Sequence, residues 1–147
     1  MASARALPPR LAASTQIIGY LNNQHAHAWD FIDAPLVYSA LFGNQLIDDG
    51  LQLSWIAATD LFIRLGLETT RGERYPTGGA TNNGRGAQRV FAEFGGDAGI
   101  SHAWLLGFSH WRADIEDRQC DGHAHDATAT EIPSFSGDSQ ISAIDMV

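Results

Sequence analysis

The clearest pattern along this chain is an alternation of apolar and polar residues with a period of two. Leu51, Leu53 and Trp55 alternate with Gln52 and Ser54, which is the spacing of a strand with one polar face. The same alternation predicts strands over about 51–56, 61–69, 88–95, 102–111 and 140–147. Short connections inside the first two pairs predict antiparallel hairpins.

The connections between these strands alternate in length. Segments 57–60 and 96–101 are short turns, whereas 70–87 and 112–138 are long and polar. Outer-membrane barrels combine short turns at one end with long loops at the other, and their strands are apolar outside and polar or small inside. The pattern therefore predicts an all-β antiparallel meander, a partial and open outer-membrane-type β-barrel. The alternative is a soluble β protein whose aromatic residues form its core.

Two other segments do not follow the strand pattern. Residues 1–16 contain Pro8 and Pro9 but no apolar run of signal-peptide length, and we expect a disordered or non-native tail followed by a partial barrel over 17–147. Segment 34–42, APLVYSALF, predicts a short helix or an irregular inward loop, since Pro35 suits the first turn of a helix. The alternative is another membrane strand.

Composition narrows the class of protein. The chain has 147 residues, 9 Lys plus Arg against 17 Asp plus Glu, and a formal net charge of −8, so we expect no nucleic-acid partner. No stretch reaches about 18 consecutive apolar residues, which excludes a conventional transmembrane helix but not membrane strands. The single cysteine, Cys120, excludes an internal disulfide.

Four charged residues are candidates for lining a pore. Arg64, Glu68, Arg89 and Glu93 fall on the inferred polar face of their strands. Charged side chains that face a lumen steer ions through it. The competing interpretation is that the two arginines pair with the two glutamates across neighbouring strands.

The histidines suggest a second candidate chemistry. Two His-x-His pairs, with a cysteine and an aspartate nearby, form a candidate zinc site at His25, His27, Cys120, His123, His125 and Asp126. Alternate residues of an extended segment point to one side, as two zinc ligands would. The simpler interpretation is a polar loop with incidental histidines. We therefore expect no cofactor, with zinc as the alternative, and no motif predicts an enzyme.

Several segments resemble a known family. These are 19–31 (GYLNNQHAHAWDF), 32–36 (IDAPL), 48–61 (DDGLQLSWIAATDL), 94–104 (FGGDAGISHAW) and 107–112 (GFSHWR). Together, over residues 17–147, they resemble porin-type β-barrel outer-membrane proteins of Gram-negative bacteria, some of which are named as zinc-regulated or TonB-dependent receptors.

This resemblance implies an outer-membrane channel or receptor for small solutes or ions. The lipid bilayer would be its partner, and the full-length form would allow a homo-oligomer. Because a single-chain barrel needs roughly eight strands or more, we expect the chain to be a fragment of a longer protein. The alternative function is a soluble, β-rich zinc-binding module that uses the His-x-His loops.

Overall fold

One open sheet of antiparallel strands dominates the structure. The computed structural model describes residues 8–13, 19–22, 24, 27, 32–42, 45–72, 86–119 and 134–147. Its strands, in sheet order, are β1 (Arg10–Ala13), β2 (Gly50–Ile56), β3 (Phe62–Thr70), β4 (Ala87–Ala98), β5 (His102–Gln119) and β6 (Ser134–Met146). Every neighbouring pair is antiparallel. The predicted all-β antiparallel meander, open rather than closed, is confirmed.

Two helical segments precede β2. They are α1 (Gly19–Asn22), a single turn, and α2 (Leu36–Phe42). The amides of Tyr38 and Ser39 donate hydrogen bonds to the Pro35 carbonyl, so the proline directly precedes the first turn of α2. Among the described residues, no helix is long and apolar enough to cross a membrane.

The strands extend further than the alternation predicts. Arg10–Ala13 lies inside the expected tail but pairs with β2. Strand β4 continues through Gly96, because Trp104 on β5 lies against this glycine and an aromatic neighbour supports a glycine in a sheet. Strand β5 runs to Gln119, where β6 supplies its hydrogen-bond partners. Strand β1 is too short to show a period. In β5, Trp111, Ala113 and Ile115 continue the period of two on the covered face beyond the predicted end of the strand.

The connections keep the predicted alternation in length. The turn from β2 to β3 has five residues and that from β4 to β5 has three, whereas 71–86 and 120–133 contain sixteen and fourteen. Gly99 adopts a φ of 78° in the three-residue turn, a conformation that glycine takes without steric cost. The two short turns therefore lie at one end of the sheet and the two long connections at the other.

The two faces of the sheet differ in chemistry. We call one the covered face, which carries Gln52, Glu68, Thr70, Arg89, Phe91 and Trp111, and the other the open face, which carries Leu53, Leu67, Val90, Phe108 and Ile144. On the covered face Glu68 is 4% and Arg89 2% exposed, while on the open face Leu67 is 56% and Ile144 71% exposed. This distribution is the reverse of that in a water-soluble domain, where charges are exposed and large apolar side chains are buried.

Helix α2 and the segment that follows it cover part of the covered face. Phe42 and Leu46 pack with Ala87, Trp111 and Ala113 in the main buried apolar cluster. The short helix that was one of the expectations for 34–42 is therefore present as α2. Burial of Phe42 and Leu46 removes from water the apolar side chains that fix α2 on the sheet.

A side-chain clamp joins α1 to the segment before β2. The Asn22 amide group donates to the Leu46 carbonyl at 3.0 Å, and the Leu46 amide donates to Asn22 Oδ1 at 2.8 Å. Asn22 is itself buried, so both bonds are shielded from water. The side chain therefore satisfies two buried backbone groups that have no strand partner there.

Replacing Asn22 tests this clamp. We expect Asn22→Ala to lower the free energy of unfolding by about 2–3 kcal/mol, because it leaves the Leu46 amide and carbonyl without these bonds. Urea unfolding followed by tryptophan fluorescence measures the change. Ser39→Ala is the control, since this exposed hydroxyl makes a local bond to Leu36. An Asn22→Ala midpoint equal to that of the control would contradict the role of the clamp.

Candidate functional site

The four charged candidates for pore lining all lie on the covered face. Strand register places Arg64 opposite Glu93 and Glu68 opposite Arg89 across β3 and β4. Arg64 Nη1 lies 3.5 Å from Glu93 Oε2, and Arg89 Nε lies 3.4 Å from Glu68 Oε2. The structure thus brings the four residues together as two cross-strand ion pairs.

The Glu68–Arg89 pair is buried far more deeply than an ordinary ion pair. Both side chains are 0% exposed, and Gln52 and Trp111 flank them in the same row across the sheet. Within the described part of the chain, the Arg89 guanidinium nitrogens, Gln52 Nε2 and Trp111 Nε1 are buried and have no hydrogen-bond acceptor. Burying polar nitrogens without acceptors costs free energy, so this row of polar side chains is an energetically costly part of the covered face.

Phe91 separates the two ion pairs. It faces Gly66 on β3, and its ring occupies the space where a side chain of residue 66 would lie. The guanidinium carbons of Arg64 and Arg89 lie 5.1 and 4.5 Å from the centre of the ring. These distances are in the range of cation–π contacts, so the phenyl ring links the two ion pairs into one cluster.

A cavity of about 330 Å³ opens beside the Arg64–Glu93 pair. Register continues the row of this pair through Gly107 on β5 to Asp145 on β6. The Asp145 carboxylate leans over Gly107, where it would collide with any larger residue. Glu93 and Asp145 therefore lie in one row, on either side of a residue that has no side chain.

Sequence reasoning did not include Gly107 or Asp145 among the site residues. The alternation within β6 indicates which residues share a face with Asp145, but not which residue of β5 lies opposite it. That assignment needs the register between β5 and β6, which follow one another across a connection of fourteen residues. The available signal was the charge of Asp145 between two large apolar residues, Ile144 and Met146.

Tyr38 of α2 lies at the edge of this cavity. Its hydroxyl and the Asp145 carboxylate both lie close to Gly19, which has a φ of 76°. Burial raises the pKa of the Tyr38 phenol, the negative charge of Asp145 raises it further, and a backbone hydrogen bond from Asn22 opposes the increase. The phenol therefore remains protonated over a wider pH range than an exposed tyrosine.

The residues considered for zinc are almost all outside the described part of the chain. His27 is described and exposed, while His25, Cys120, His123, His125 and Asp126 lie outside it. Across the residues that the structure does describe, no group of three or more His, Cys, Asp or Glu side chains is placed to hold a metal ion. The zinc hypothesis stays a prediction.

Comparison with known proteins identifies one significant similarity. A stretch of 55 residues is 44% identical to an uncharacterized protein of Aquifex aeolicus (strain VF5), covering 37% of this chain and 12% of that protein. The match thus spans about an eighth of the relative's length. No family model matches the chain. No solved structure matches it either.

Separate substitutions in the buried pair test its energetic role. We expect Glu68→Gln to lower the free energy of unfolding by about 3–5 kcal/mol, because it leaves the Arg89 charge buried without its partner. Adding Arg89→Met should recover most of this loss, since the double variant buries no uncompensated charge. Urea unfolding of both single variants and the double variant gives the coupling free energy.

The matched control is the pair Arg112–Asp138 on the open face. Its atoms are 3.8 Å apart, but the side chains are 56% and 60% exposed. Asp138→Asn should change the free energy of unfolding by less than about 1 kcal/mol. Equal losses of unfolding free energy for Glu68→Gln and Asp138→Asn would show that the buried pair contributes no more to stability than the exposed pair.

Proposed function

We propose that this sheet is part of an outer-membrane β-barrel that passes small solutes or ions as a channel or receptor. The observation that carries the proposal is the reversed distribution of side chains. Charged residues are buried on the covered face, and large apolar residues are exposed on every strand of the open face. Such a surface suits hydrocarbon on the outside and a polar interior.

The open face has the form of a band across the strands. One apolar row contains Leu65 and Phe108, and the next contains Ile63, Phe94 and Leu106. The row of Leu67 and Val90 becomes polar at His110 and Ser142, and the row beyond it is polar throughout, consisting of Thr69, Gln88, Arg112 and Gln140. From Val90 to Gly96 the apolar zone measures about 20 Å along β4. An outer-membrane barrel carries an apolar band of roughly 25 Å, so the dimensions support the proposal.

The covered face would then be the interior of the barrel. All four pore-lining candidates would lie on this inner side, together with α1 and α2. Arg64 and Glu93 keep 23% and 17% side-chain exposure and would present charge to ions and water-filled space. Glu68 and Arg89 are 0% exposed and would form an ion pair buried beneath that lining.

The two edge strands of the sheet indicate where a closed barrel would require further strands. Among the described strands, β1 pairs only with β2, and β6 pairs only with β5. An open edge in hydrocarbon leaves backbone groups without hydrogen bonds, which lipid does not tolerate. We propose that further strands, from additional chain or from another copy, pair with these edges.

Charge placed on the open face tests the membrane assignment. We expect Leu65→Arg to reduce insertion into lipid vesicles by about 2–4 kcal/mol, because Leu65 lies in the middle of the apolar band. Vesicle flotation and urea unfolding of the inserted protein measure the loss. Thr69→Arg, four residues along the same strand in the polar row, should cost no more than about 1 kcal/mol.

A different outcome would contradict the membrane assignment. If the unmodified chain is monomeric in detergent-free buffer and does not bind lipid vesicles, the open face is not a surface that contacts lipid. If Leu65→Arg and Thr69→Arg insert equally well, the apolar band has no defined depth.

Conductance tests the channel. With the purified protein in a planar bilayer, we expect Arg64→Gln to shift the reversal potential toward greater cation selectivity, because it removes a positive charge from the lining. Asp138→Asn on the open face is the control and should leave the reversal potential unchanged. Insertion into the bilayer without any conductance would contradict the channel function and leave a receptor or structural role.

A further inference from the structure

We infer that the open face of β5 and β6 binds a phospholipid with a phosphoethanolamine headgroup. The inference rests on the proposed membrane function and names the lipid that this surface prefers. The surface is built on alternate residues of β5, whose chemistry changes along the strand from apolar to charged. We call these residues the β5 file, which consists of Phe108, His110, Arg112 and Asp114.

The apolar end of the β5 file borders a groove. The groove has a volume of about 450 Å³ and is lined by Phe108, by Val90 on β4 and by Ile144 on β6. All three side chains are exposed, Ile144 to 71%. Removing apolar side chains from water is favourable, and an acyl chain in the groove would do so as a continuation of the apolar band. The groove therefore fits the tail of a lipid.

A hydrogen-bonded pair lies at the polar end of the groove. His110 and Ser142 line it there, and His110 Nδ1 lies 2.9 Å from Ser142 Oγ. When the hydroxyl donates to Nδ1, the ring proton is on Nε2, which then donates to an ester or phosphate oxygen. The pair thus occupies the level at which a phospholipid changes from acyl chain to ester and phosphate.

Arg112 supplies a positive charge for the phosphate. Its side chain is 56% exposed, and its Nη2 lies 3.9 Å from Asp114 Oδ1 and 3.8 Å from Asp138 Oδ1. Exposed ion pairs of this kind contribute little free energy, so neither carboxylate competes strongly with a ligand. A guanidinium donates two parallel hydrogen bonds to phosphate oxygens, which makes Arg112 the expected phosphate partner.

Asp114 supplies a negative charge for the ammonium group. It lies directly opposite Asp138 in the register of β5 and β6, and like charges in this position are destabilising. One arginine serves both carboxylates, so the three side chains carry a formal excess of one negative charge. A headgroup with phosphate alone would be repelled by this excess, whereas the ammonium group of ethanolamine compensates it.

The order of groups along β5 matches the order of groups along the lipid. From Phe108 to Asp114 the β5 file extends about 20 Å, and it passes from an apolar side chain through a hydrogen-bond donor and a cation to an anion. Phosphatidylethanolamine passes from acyl chain through ester and phosphate to ammonium. A headgroup of one sign would leave one of the two charged positions without its counterpart.

Titration of the isotope-labelled full chain in dodecyl maltoside micelles, a detergent without phosphate, tests the inference. The probe is dihexanoyl-phosphatidylethanolamine, and the signal is the chemical shift of the His110 ring. We expect saturable binding about tenfold tighter than that of dihexanoyl-phosphatidylglycerol, which has the phosphate but no ammonium group. Free phosphoethanolamine, which has no acyl chain, should also bind at least about tenfold more weakly than the probe.

Substitutions at exposed positions assign the charged partners. Arg112→Gln should weaken binding of the probe about tenfold, and Arg112→Lys should restore part of this loss because it keeps the charge. Asp114→Asn should remove most of the preference over phosphatidylglycerol. The controls, Arg10→Gln on β1 and Asp97→Asn at the short-turn end of β4, alter exposed residues outside the β5 file and should bind the probe as the unmodified chain does.

Several outcomes would overturn the inference. These are equal affinity for phosphatidylethanolamine and phosphatidylglycerol, equal affinity for the probe and free phosphoethanolamine, and unchanged affinity in both Arg112→Gln and Asp114→Asn. If the probe leaves the His110 signal unchanged and Arg112→Gln instead shifts a monomer–dimer equilibrium in sedimentation, the face joins two copies of the chain and the inference is wrong. Insertion into vesicles without a headgroup preference refutes this inference alone, and lipid binding without conductance refutes the channel alone.

Discussion

The structure depends on placing charged side chains on a face of the sheet that is closed to water. Glu68 and Arg89 are fully buried, and a buried charge is tolerated only beside its counter-charge. The antiparallel register between β3 and β4 supplies that partner at 3.4 Å and supplies a second pair, Arg64 and Glu93, four residues along each strand. A shift of β3 by one residue relative to β4 would send Arg64 and Glu68 to the open face, away from Glu93 and Arg89.

The helical segments follow from the same constraint. The covered face offers apolar contacts only around Ala87, Trp111 and Ala113, and α2 occupies that area with Phe42 while Leu46 follows it. The Asn22 clamp holds α1 beside Leu46. Where this packing ends, Gly107 and Gly19 leave space between the helix and the sheet, and the cavity with its carboxylates lies there. A buried polar face, its helical cover and the cavity thus form one unit.

The open face has the opposite requirement. Leu65, Leu67, Val90 and Phe108 need an apolar neighbour that the described chain does not provide. In the proposed membrane setting, hydrocarbon would supply one without any specific contact, so apolar character and depth would matter there more than the identity of each residue. The charged hairpin end of β5 and β6, where Arg112 lies near Asp114 and Asp138, extends beyond the apolar band.

The sequence by itself determined the type and number of the main elements. A period of two needs only local information, so five strands, their loop lengths and the helix at 36–42 were predictable from residues such as Leu51, Leu53 and Trp55. It also placed Arg64, Glu68, Arg89 and Glu93 on one face of their strands. The pairing of β1 was not predictable from so short a segment, whereas the extension of β5 carried a signal, because Trp111, Ala113 and Ile115 alternate with charged residues.

Only the tertiary structure decided which charges meet. Arg64 faces Glu93, and Asp145 leans over Gly107, because of registers set between strands whose connections contain sixteen and fourteen residues. Local periodicity indicates the face of each strand but carries no information on its offset from the next. The buried ion pairs, the Phe91 contacts and the cavity all arise from those offsets.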